Sequence, residues 1–430
     1  MSLFLKTTGL QFVDVFPGIN LLTLYVVQLT NEKNEEMISV REAKQLIIDR
    51  LLISRVVEIP LSVTLNYVLA ESVYSPLDLP PFPQSSMDGY AFSYSDLNNP
   101  QGLFIVDQIA AGDSTVNPIH SGQAARIFTG AAVPKGADTI IMQEKTEIRN
   151  HRLFILDQSL LPGTHLRPKG SEIKAGDLAL SKGSLLGPAS IGFLASMGLT
   201  KVKVYDKPSV AILITGNELE PPGQTLPYGK VYDSNSFTLK AALQQIGIND
   251  ITVIPVTDQA DLLTSALQSA LEKYDIILLT GGVSVGDFDF VIEANQRCGV
   301  KQVFHKIKQK PGKPFYFGVR EGKYVFGLPG NPASSLTCFY EYIEPAIQKM
   351  MGKSSDIKIV RAPIKASYTK PAGLTHFLKA SFDGIQATPL DAQESFRLKS
   401  FARANALIVI EENTTSIQAG EEVEVHILPV

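Results

Sequence analysis

Short apolar runs alternate with longer amphipathic stretches in the second half of the chain. Val210–Thr215, Ile251–Val256 and Ile276–Thr280 are rich in β-branched residues and too short for isolated helices, so they predict buried strands. The stretches that follow the first two runs predict helices, the second of them capped by Asp258. Strands that alternate with helices indicate a parallel sheet, whose ligands bind at the carboxyl ends of the strands.

Glycines follow the third of these runs and return before a further helix, which predicts two loops that can approach a ligand closely. Asn331 and Pro332 are typical of a helix start. We therefore expect a helix from Pro332 to about Met351, with its positive end beside the Gly330 loop. Such an end favours a bound anion.

Charged side chains lie close to both loops. Asp287 and Asp289 follow the first loop, and four lysines precede the second, namely Lys306, Lys308, Lys310 and Lys313. Because carboxylates repel an anionic ligand unless a cation intervenes, the combination indicates a phosphate held with magnesium. Taken singly, each feature has a simpler interpretation, in which the glycine loops are structural, the lysines form a solvated strand face and the acids cap helices.

The segment that precedes Met37 predicts neither a membrane span nor a signal peptide, because polar residues interrupt its apolar stretch and it lacks a basic start. Met37 begins a helix motif in which Ser39 is the cap and Glu42 follows three residues later. We expect the functional chain to begin at Met37. Residues 1–36 are then an extension, or translation begins downstream of Met1.

Residues 74–174 show short alternating runs and frequent glycines, which predicts a small β-rich domain after a second short helix over 60–71. Prolines stiffen the approach to Asp88, Thr129 lies where a strand ends, and Arg167 lies in a charged turn. Simpler interpretations are that Asp88 and Thr129 form local turns and that Arg167 is surface charge.

The last segment, residues 354–430, has short apolar runs separated by turns and predicts a small β-barrel or sandwich. A polar and positive stretch from Ser395 to Arg403 is either a surface loop or one wall of a cleft. Cys298 and Cys338 lack metal-type spacing and are typical of reduced core residues in a cytoplasmic protein.

Charge narrows the class of ligand. The 430 residues carry a formal net charge of −4, which argues against nucleic-acid binding over a broad surface. Any anion site must therefore be local.

Seven motifs occur in one order along the chain: SMDGYA, IFTGAAVP, TGNEL, YDSN, TGGVSVGDFD, KPGKPF and LPGNPAS. In this order they resemble the MoeA-type molybdopterin molybdenumtransferase family, to which the gephyrin E domain belongs, over residues 37–430. The resemblance implies an α/β multidomain fold with four parts: a helical domain built from 37–73 and 175–204, an inserted β-rich domain (74–174), a molybdopterin-binding doubly wound α/β domain (205–353) and a C-terminal β-barrel (354–430).

The resemblance also implies an activity, the final step of molybdenum cofactor synthesis. Adenylylated molybdopterin and molybdate would give the cofactor and AMP, with Mg²⁺ as the cation. It further implies an elongated homodimer whose active site combines the α/β domain with parts of the partner subunit. A molybdopterin adenylyltransferase and recipient molybdoenzymes are expected partners, whereas nucleic acid and membrane are not.

Motif by motif, the resemblance implies roles for individual residues. The implied metal ligands are Asp88, Glu218, Asp287 and Asp289. Lys306 and Lys310 would hold molybdate or the terminal phosphate, so that the implied catalytic residues are Asp88, Glu218, Asp287, Lys306 and Lys310. The residues implied to bind the substrate cofactor are Thr129, Arg167, Asp233, Ser234, Gly281, Gly282, Ser284, Gly286, Pro329, Gly330, Asn331, Pro332 and Ser400.

Two departures from the family pattern affect positive charge. Pro168 stands after Arg167 where the family usually has a second arginine, and the segment 373–377 lacks the arginine often found there. The missing charge would then have to come from nearby cations such as Arg397, Lys399 or Arg403.

Three other functions stay open at this point. A molybdopterin adenylyltransferase shares the TGGVSVG domain but normally consists of that domain alone, and ATP consumption would identify it. A non-enzymatic scaffold would bind a receptor peptide without turnover, and a nicotinamide-nucleotide-processing relative would show amidase activity. The choice between molybdate and tungstate, and the recipient enzyme, stay open as well.

Overall fold

The computed structural model describes residues 37–281, 290–353 and 357–429, and the chain forms two compact units. One unit comprises Arg55–Asp206, and the other joins the residues up to Ser54 to those from Lys207 onward. Residues 37–54 belong to the same compact unit as the described residues from Lys207 onward. The grouping of 37–73 with 175–204 into one helical domain stays a prediction.

A six-stranded sheet forms the centre of the larger unit. Its strands lie in the order Ile251–Val256, Val210–Thr215, Ile276–Thr280, Lys323–Leu328, Pro314–Arg320 and Lys301–Lys306. The first four pair in parallel, as predicted. The fifth strand, Pro314–Arg320, pairs antiparallel with both of its neighbours. The carboxyl ends of the four parallel strands therefore meet at one edge of the sheet.

Helices cover both faces of this sheet, which confirms the doubly wound prediction. Successive strand residues point to opposite faces. Accordingly, Val210 and Ile212 pack in one core with Leu239, whereas Ala211 packs in the other with Leu267. All five side chains are buried, and this is why the parallel strands are apolar along their whole length.

The helices of this unit are Val40–Ile48, Asn235–Gln245, Ala260–Lys273, Phe290–Arg297, Pro332–Cys338, Glu344–Met350 and Leu398–Phe401. The predicted cap of the first helix is confirmed, since the Ser39 hydroxyl accepts the Glu42 N–H at 3.1 Å. A π-helical turn over Phe339–Ile343 joins two of the helices into the long helix predicted up to about Met351.

The predicted cap at Asp258 is wrong. Gln259 occupies the cap position of the helix Ala260–Lys273, and the Asp258 carboxylate accepts the Asn217 N–H at 2.9 Å instead. A contact across two loops has therefore taken the side chain that the sequence assigned to the helix. Within the described ranges, no helix combines the length and apolar character needed to cross a bilayer.

A second sheet is formed mainly by the C-terminal segment. Its order is Gln309–Lys310, Thr375–Phe382, Ala406–Ile410, Glu422–Ile427 and Ile359–Pro363, with Ala387–Pro389 paired to Thr375–Phe382. A separate pair joins Tyr368–Thr369 to Ser416–Ile417. Because Gln309–Lys310 is a strand of this sheet, the lysine-rich segment connects the central sheet to the C-terminal one.

The unit Arg55–Asp206 contains a six-stranded sheet in the order Thr139–Met142, Gly89–Phe92, Gln123–Ile127, Leu103–Ile109, Arg152–Ile155 and Thr146–Arg149. Three short pairs bring its ends together: Val56–Pro60 with Lys201–Tyr205, Val73–Tyr74 with Leu178–Leu180, and Gln84–Ser85 with Leu166–Arg167. Its helix is Pro188–Ser196.

The helix predicted over 60–71 is wrong. Pro60 ends the strand Val56–Pro60, Leu61–Val63 form one 3₁₀ turn, and Val68 and Leu69 form isolated bridges to Leu185 and Val204. The strand is rich in β-branched residues, and its five residues pair with Lys201–Tyr205, a segment that a local pattern cannot reveal.

Candidate active site

Three glycine-bearing loops meet at the carboxyl ends of the central parallel strands. Gly281 has a φ of +87°, and a Cβ there would lie 2.3 Å from the carbonyl oxygen of Thr215. A Cβ on Gly330 would lie 3.9 Å from the Gly281 Cα. The close approach at Gly281 requires glycine, and it leaves the backbone of these loops accessible to a ligand.

Polar side chains tie these loops together. The Asn235 amide donates to the carbonyl oxygen of Gly330 at 2.9 Å. One Asp233 carboxylate oxygen accepts the Ser236 N–H at 3.1 Å, and the other accepts the Ser236 hydroxyl. Asp233, predicted to contact the nucleotide, therefore caps the helix Asn235–Gln245, while Ser234 precedes that helix without a side-chain cap bond.

Glu218 is the predicted metal ligand that lies at this edge. Its carboxylate is exposed, and a Cβ on Gly216 would lie 2.9 Å from the Glu218 Oε1. The other predicted residues of the glycine-rich loop lie outside the described residues: Gly282, Ser284, Gly286, Asp287 and Asp289. Across the described ranges no three His, Cys, Asp or Glu side chains form a group that could hold a metal ion.

An apolar cavity of about 580 Å³ lies beside the first of these loops, and its lining includes Gly216, Leu219, Asp233, Phe237 and Val253. The charged groups at its wall are Asp233, Glu220 and Lys240. A site of this size and lining suits a mainly apolar group with a few polar contacts.

A second cavity, of about 740 Å³, lies where the lysine-rich segment meets the C-terminal sheet. We call it the lysine cavity, and its polar lining includes Lys310, Lys313, Asn331, Tyr368, His376 and Ser395. Lys310, Pro329 and Asn331 were predicted site residues, and the structure brings them together here. Lys306 was predicted as well, but it is not among the described residues that line this cavity.

Hydrogen bonds from a buried side chain hold the turn that carries the two lysines. The amide of buried Gln309 donates to the carbonyl oxygens of Pro311 and Gly312, each at 3.1 Å, and the Tyr342 hydroxyl donates to its other end. A Cβ on Gly312 would lie 2.6 Å from the Gln309 Nε2. The Pro-Gly turn therefore holds a defined conformation that places Lys310 and Lys313 in one cavity.

The lysines of this segment differ in whether a carboxylate lies close to the ammonium group. Lys308 lies 3.5 Å from a carboxylate oxygen of Glu412. Among the described residues, neither Lys310 nor Lys313 has a carboxylate within ion-pair distance. Both side chains are exposed, and Glu394 is the one carboxylate in the described lining of this cavity. Two such ammonium groups in a shared cavity are suited to an anion.

A loop over residues 391–397 forms the opposite wall, and a buried lysine holds it. The Lys379 side chain is 2% exposed, and its ammonium donates to the carbonyl oxygens of Ala392 at 2.7 Å and Arg397 at 3.0 Å. The Ser400 hydroxyl lies 2.9 Å from the same Ala392 carbonyl. Ser400 was predicted to bind the substrate, but in the structure it is buried and supports this loop.

The loop contacts the helix start through Asn331, whose amide donates to the Ser395 hydroxyl at 2.9 Å. None of the three cations proposed to replace the missing family arginine, Arg397, Lys399 and Arg403, is among the described lining residues of the lysine cavity. Arg397 instead lies 3.5 Å from Glu394.

Three functional candidates were not among the predicted site residues: Lys313, Lys379 and His376. Lys313 was visible in the lysine run, but its alternation with the others gave no reason to prefer it. Lys379 had a usable signal, since it interrupts an apolar strand and long cations are rarely buried without acceptors.

In the other unit, Asp88 and Thr129 form a closed pair. The same carboxylate oxygen of Asp88 accepts the Thr129 N–H at 2.7 Å and its hydroxyl at 2.8 Å. These hydrogen bonds, followed by the charge of Arg126, lower the pKa of Asp88. The second carboxylate oxygen takes no part in them. Arg167 lies on the strand beside Gln84, four residues before Asp88.

Comparison with family models matches this chain in three parts. Residues 38–198 match the N-terminal region of MoeA, described as domains I and II. Residues 211–349 match a probable molybdopterin binding domain, and residues 361–428 match the C-terminal region of MoeA, domain IV.

Whole-length relatives agree with these matches. The chain is 34% identical over 398 residues to the molybdopterin molybdenumtransferase of Staphylococcus epidermidis, covering 90% of this chain and 95% of the relative. It is 34% identical over 368 residues to that of Haemophilus influenzae, covering 84% and 91%. A crystal structure of a molybdopterin biosynthesis MoeA protein from Pyrococcus horikoshii superimposes with a TM-score of 0.78 at 31% identity, covering 91% and 99%.

Proposed function

Because this chain belongs to the MoeA family of molybdopterin molybdenumtransferases, we propose that it performs the last step of molybdenum cofactor synthesis. Adenylylated molybdopterin and molybdate are the substrates, and the molybdenum cofactor and AMP are the products. The observation that carries this proposal is the lysine cavity, where Lys310 and Lys313 face a shared space without a carboxylate partner among the described residues.

Molybdate and the pyrophosphate of the substrate are both anions, and the residues at this edge suit them. Ammonium groups neutralise oxyanion charge, and backbone N–H groups of glycine loops and helix starts bind phosphate oxygens. Asn331 begins a helix and also lines the lysine cavity. A pyrophosphate at the loops of Gly281 and Gly330 would thus lie close to an oxyanion held by the lysines.

The chemistry requires no covalent nucleophile from the protein. An oxygen of water or of molybdate forms the new bond to phosphorus as the phosphoanhydride bond that carries AMP breaks. Positioning and positive charge beside the phosphate oxygens assist this displacement. Lys310 and Lys313 would hold the oxyanion in place as AMP leaves. The fixed turn and the loop supported by Lys379 keep this cavity preorganised, so that little reorganisation opposes the reaction.

Magnesium is part of the proposal, with Asp88, Glu218, Asp287 and Asp289 as its ligands. Carboxylate oxygens are the ligands that Mg²⁺ prefers. Asp88 has one carboxylate oxygen outside its bonds to Thr129, and Glu218 is exposed, so both have oxygen atoms to offer. When bound, the ion would neutralise charge on the pyrophosphate.

We propose further that the protein acts as a cytoplasmic homodimer. Its partners would be an adenylyltransferase that supplies the substrate and the apoenzymes that receive the product. The net charge of −4 supports a protein whose anion site is local and which does not bind nucleic acid.

The direct test measures AMP release from adenylylated molybdopterin by the purified protein, with and without molybdate and Mg²⁺. The expected result is release that depends on both, together with a product that reconstitutes an apo-molybdoenzyme. Tight binding of the substrate without AMP release would contradict the transferase function. Consumption of ATP with free molybdopterin would instead identify an adenylyltransferase.

A further inference from the structure

His376 is a second kind of polar group in the lysine cavity. The residue is 5% exposed, and its Nδ1 lies 2.9 Å from the Tyr368 hydroxyl oxygen. Its Nε2 has no hydrogen-bond partner among the described residues, and this atom is not sealed from solvent. A buried imidazole therefore presents one unpaired nitrogen to the open space of the cavity.

Strand pairing places this nitrogen beside the lysines. Gln309–Lys310 runs parallel to Thr375–Phe382, with Lys310 opposite His376. His376, Lys310 and Lys313 all line the same cavity. Any anion held by the two ammonium groups thus lies close to the imidazole.

The imidazole is neutral at physiological pH. Burial, followed by the positive charges of Lys370 and Lys310, lowers the pKa of His376 to about 4. Lys370 is itself fixed, because its ammonium donates to the carbonyl oxygens of Leu374 at 2.8 Å and Glu412 at 3.0 Å. The remaining charged groups at the cavity wall are Lys313 and Glu394, and Glu394 lies beside Arg397.

Tyr368 determines which nitrogen carries the single proton. Burial raises the pKa of Tyr368, so its hydroxyl remains protonated. Among the described residues, the His376 Nδ1 is the one group in hydrogen-bond range of this hydroxyl. If Nδ1 were the donor, the phenolic O–H would lack an acceptor within that part of the chain. We therefore assign the hydroxyl as the donor to Nδ1, which places the proton of the imidazole on Nε2.

We propose that His376 binds the oxyanion substrate, donating its Nε2–H to one oxygen while Lys310 and Lys313 supply the positive charge. This inference rests on the proposed function for the identity of the ligand, molybdate. A neutral N–H adds a directional contact to a tetrahedral anion without adding a third charge to the cavity. Tyr368 acts as a positioning residue that fixes the tautomer.

The test uses the full-length protein and three variants: His376→Leu, His376→Gln and Tyr368→Phe. Molybdate binding is measured by titration calorimetry, and near-ultraviolet circular dichroism checks the fold of each variant. His376→Leu should raise the Kd about tenfold, the loss expected for a hydrogen bond to a charged group. His376→Gln keeps an N–H at a similar reach and should remain within about threefold, as should Tyr368→Phe.

A spectroscopic readout separates binding from packing. In the ¹⁵N spectrum of the wild-type protein, His376 should show a protonated Nε2 whose resonance shifts when molybdate is added. Tyr368→Phe should increase the share of the other tautomer. An Nε2 signal that molybdate leaves unchanged would overturn the proposal.

Two further outcomes would also overturn it: equal affinity of the wild type and a correctly folded His376→Leu variant, or equal losses in the Leu and Gln variants, which would indicate shape as the cause. Failure of the proposed function has a different signature. A wild-type protein that binds molybdate through His376 but releases no AMP would refute the transferase role and leave this site intact.

Discussion

Two groups of charged side chains in the larger unit contain the same cationic residue types and differ in their burial and in their balance. In the first, Glu341 is 1% exposed and accepts hydrogen bonds from Lys44 at 2.6 Å and from His426 at 2.8 Å. In the second, the lysine cavity, Lys310 and Lys313 have no carboxylate within ion-pair distance among the described residues. The protein compensates the charges of the first group, whereas the two lysines of the second are exposed to solvent and open to an anionic ligand.

The two histidines show the difference directly. Burial opposes protonation of both. At His426 the charge and hydrogen bond of Glu341 outweigh burial and raise its pKa, while at His376 nearby lysines act with burial and lower its pKa to about 4. Opposite neighbours thus favour the protonated form of one histidine and the neutral form of the other.

Their locations match these properties. Lys44 lies on the first helix, Glu341 on the π-helical turn and His426 on a C-terminal strand, so this group joins three elements. The lysine cavity instead opens at the edge where the parallel strands end. The balanced group therefore joins elements of this unit, whereas the lysine cavity is the site that we propose for the oxyanion.

The largest expected effect comes from breaking the balanced group. Glu341→Leu leaves Lys44 and His426 without their carboxylate and should lower the free energy of unfolding by about 3–5 kcal/mol. Denaturant unfolding measures this. Glu424→Gln is the matched control, since Glu424 contacts the other nitrogen of His426 at 2.9 Å but is partly exposed, and it should cost less than about 1 kcal/mol. Equal effects of the two changes would contradict the structural role of Glu341.

Removing the unbalanced charge should affect binding and spare stability. Lys310→Ala combined with Lys313→Ala should raise the half-saturating molybdate concentration about 100-fold, because each charge-assisted hydrogen bond stabilises by about 1.5–3 kcal/mol. AMP release at varied molybdate provides the measurement. Lys308→Ala is the control from the same segment, since Lys308 lies beside Glu412 and outside the cavity lining. A similar loss in that control would refute the special role of the pair.

Asp88 extends the comparison to a carboxylate whose pKa is lowered mainly by hydrogen bonds from Thr129 and to a smaller extent by the charge of Arg126. Asp88→Asn should fold normally and reduce Mg²⁺-dependent turnover at least about tenfold, as for loss of a group that orients a metal site. Asp157 is a matched control, because its carboxylate accepts the N–H and hydroxyl of Ser159 in the same way. Turnover that Asp88→Asn leaves unchanged would remove Asp88 from the metal ligands.

The smallest effect is the pH dependence of stability. His376 has a native pKa of about 4 against about 6.5 unfolded, so the unfolded chain takes up a proton as pH falls from 6.5 to 4 and stability is lost in that window. His376→Gln removes this loss, and its thermal midpoint should fall less than that of the wild type between pH 7 and pH 5.

His426 has the opposite sign. Because its native pKa is raised, it contributes stability that is present below about pH 6.5 and lost as pH rises through the native pKa. His426→Gln should therefore lower the free energy of unfolding more at pH 5.5 than at pH 9. If His376→Gln and His426→Gln each lowered the free energy of unfolding by the same amount at every pH, the two histidine environments would not differ in charge.

Local pattern was enough to predict the central strands. Val210–Thr215 and Ile276–Thr280 have the predicted bounds, since β-branched runs that end at glycine leave little choice of structure. The seven ordered motifs likewise identified the family. These features are contained within short stretches of sequence.

What the sequence missed depends on distant pairing. The family resemblance implied Lys306 and Lys310, and the role of Lys306 stays a prediction. Lys313 joins Lys310 in the cavity because the Pro-Gly turn held by Gln309 and Tyr342 redirects the chain. His376 enters the cavity because Gln309–Lys310 pairs with a strand more than sixty residues later. The error over 60–71 has the same cause, since Pro60 pairs with Lys201 and the bridges of Val68 and Leu69 reach Leu185 and Val204.

Tungstate location by anomalous diffraction tests the central claim most directly, because tungstate matches molybdate in shape and charge and its metal atom is easily located. We expect one tungsten peak in the lysine cavity, with the tungstate oxygens within hydrogen-bond distance of Lys310, Lys313 and the His376 Nε2. A peak elsewhere in the unit with the lysine cavity empty, or a peak in this cavity that persists in the Lys310→Ala, Lys313→Ala variant, would contradict it.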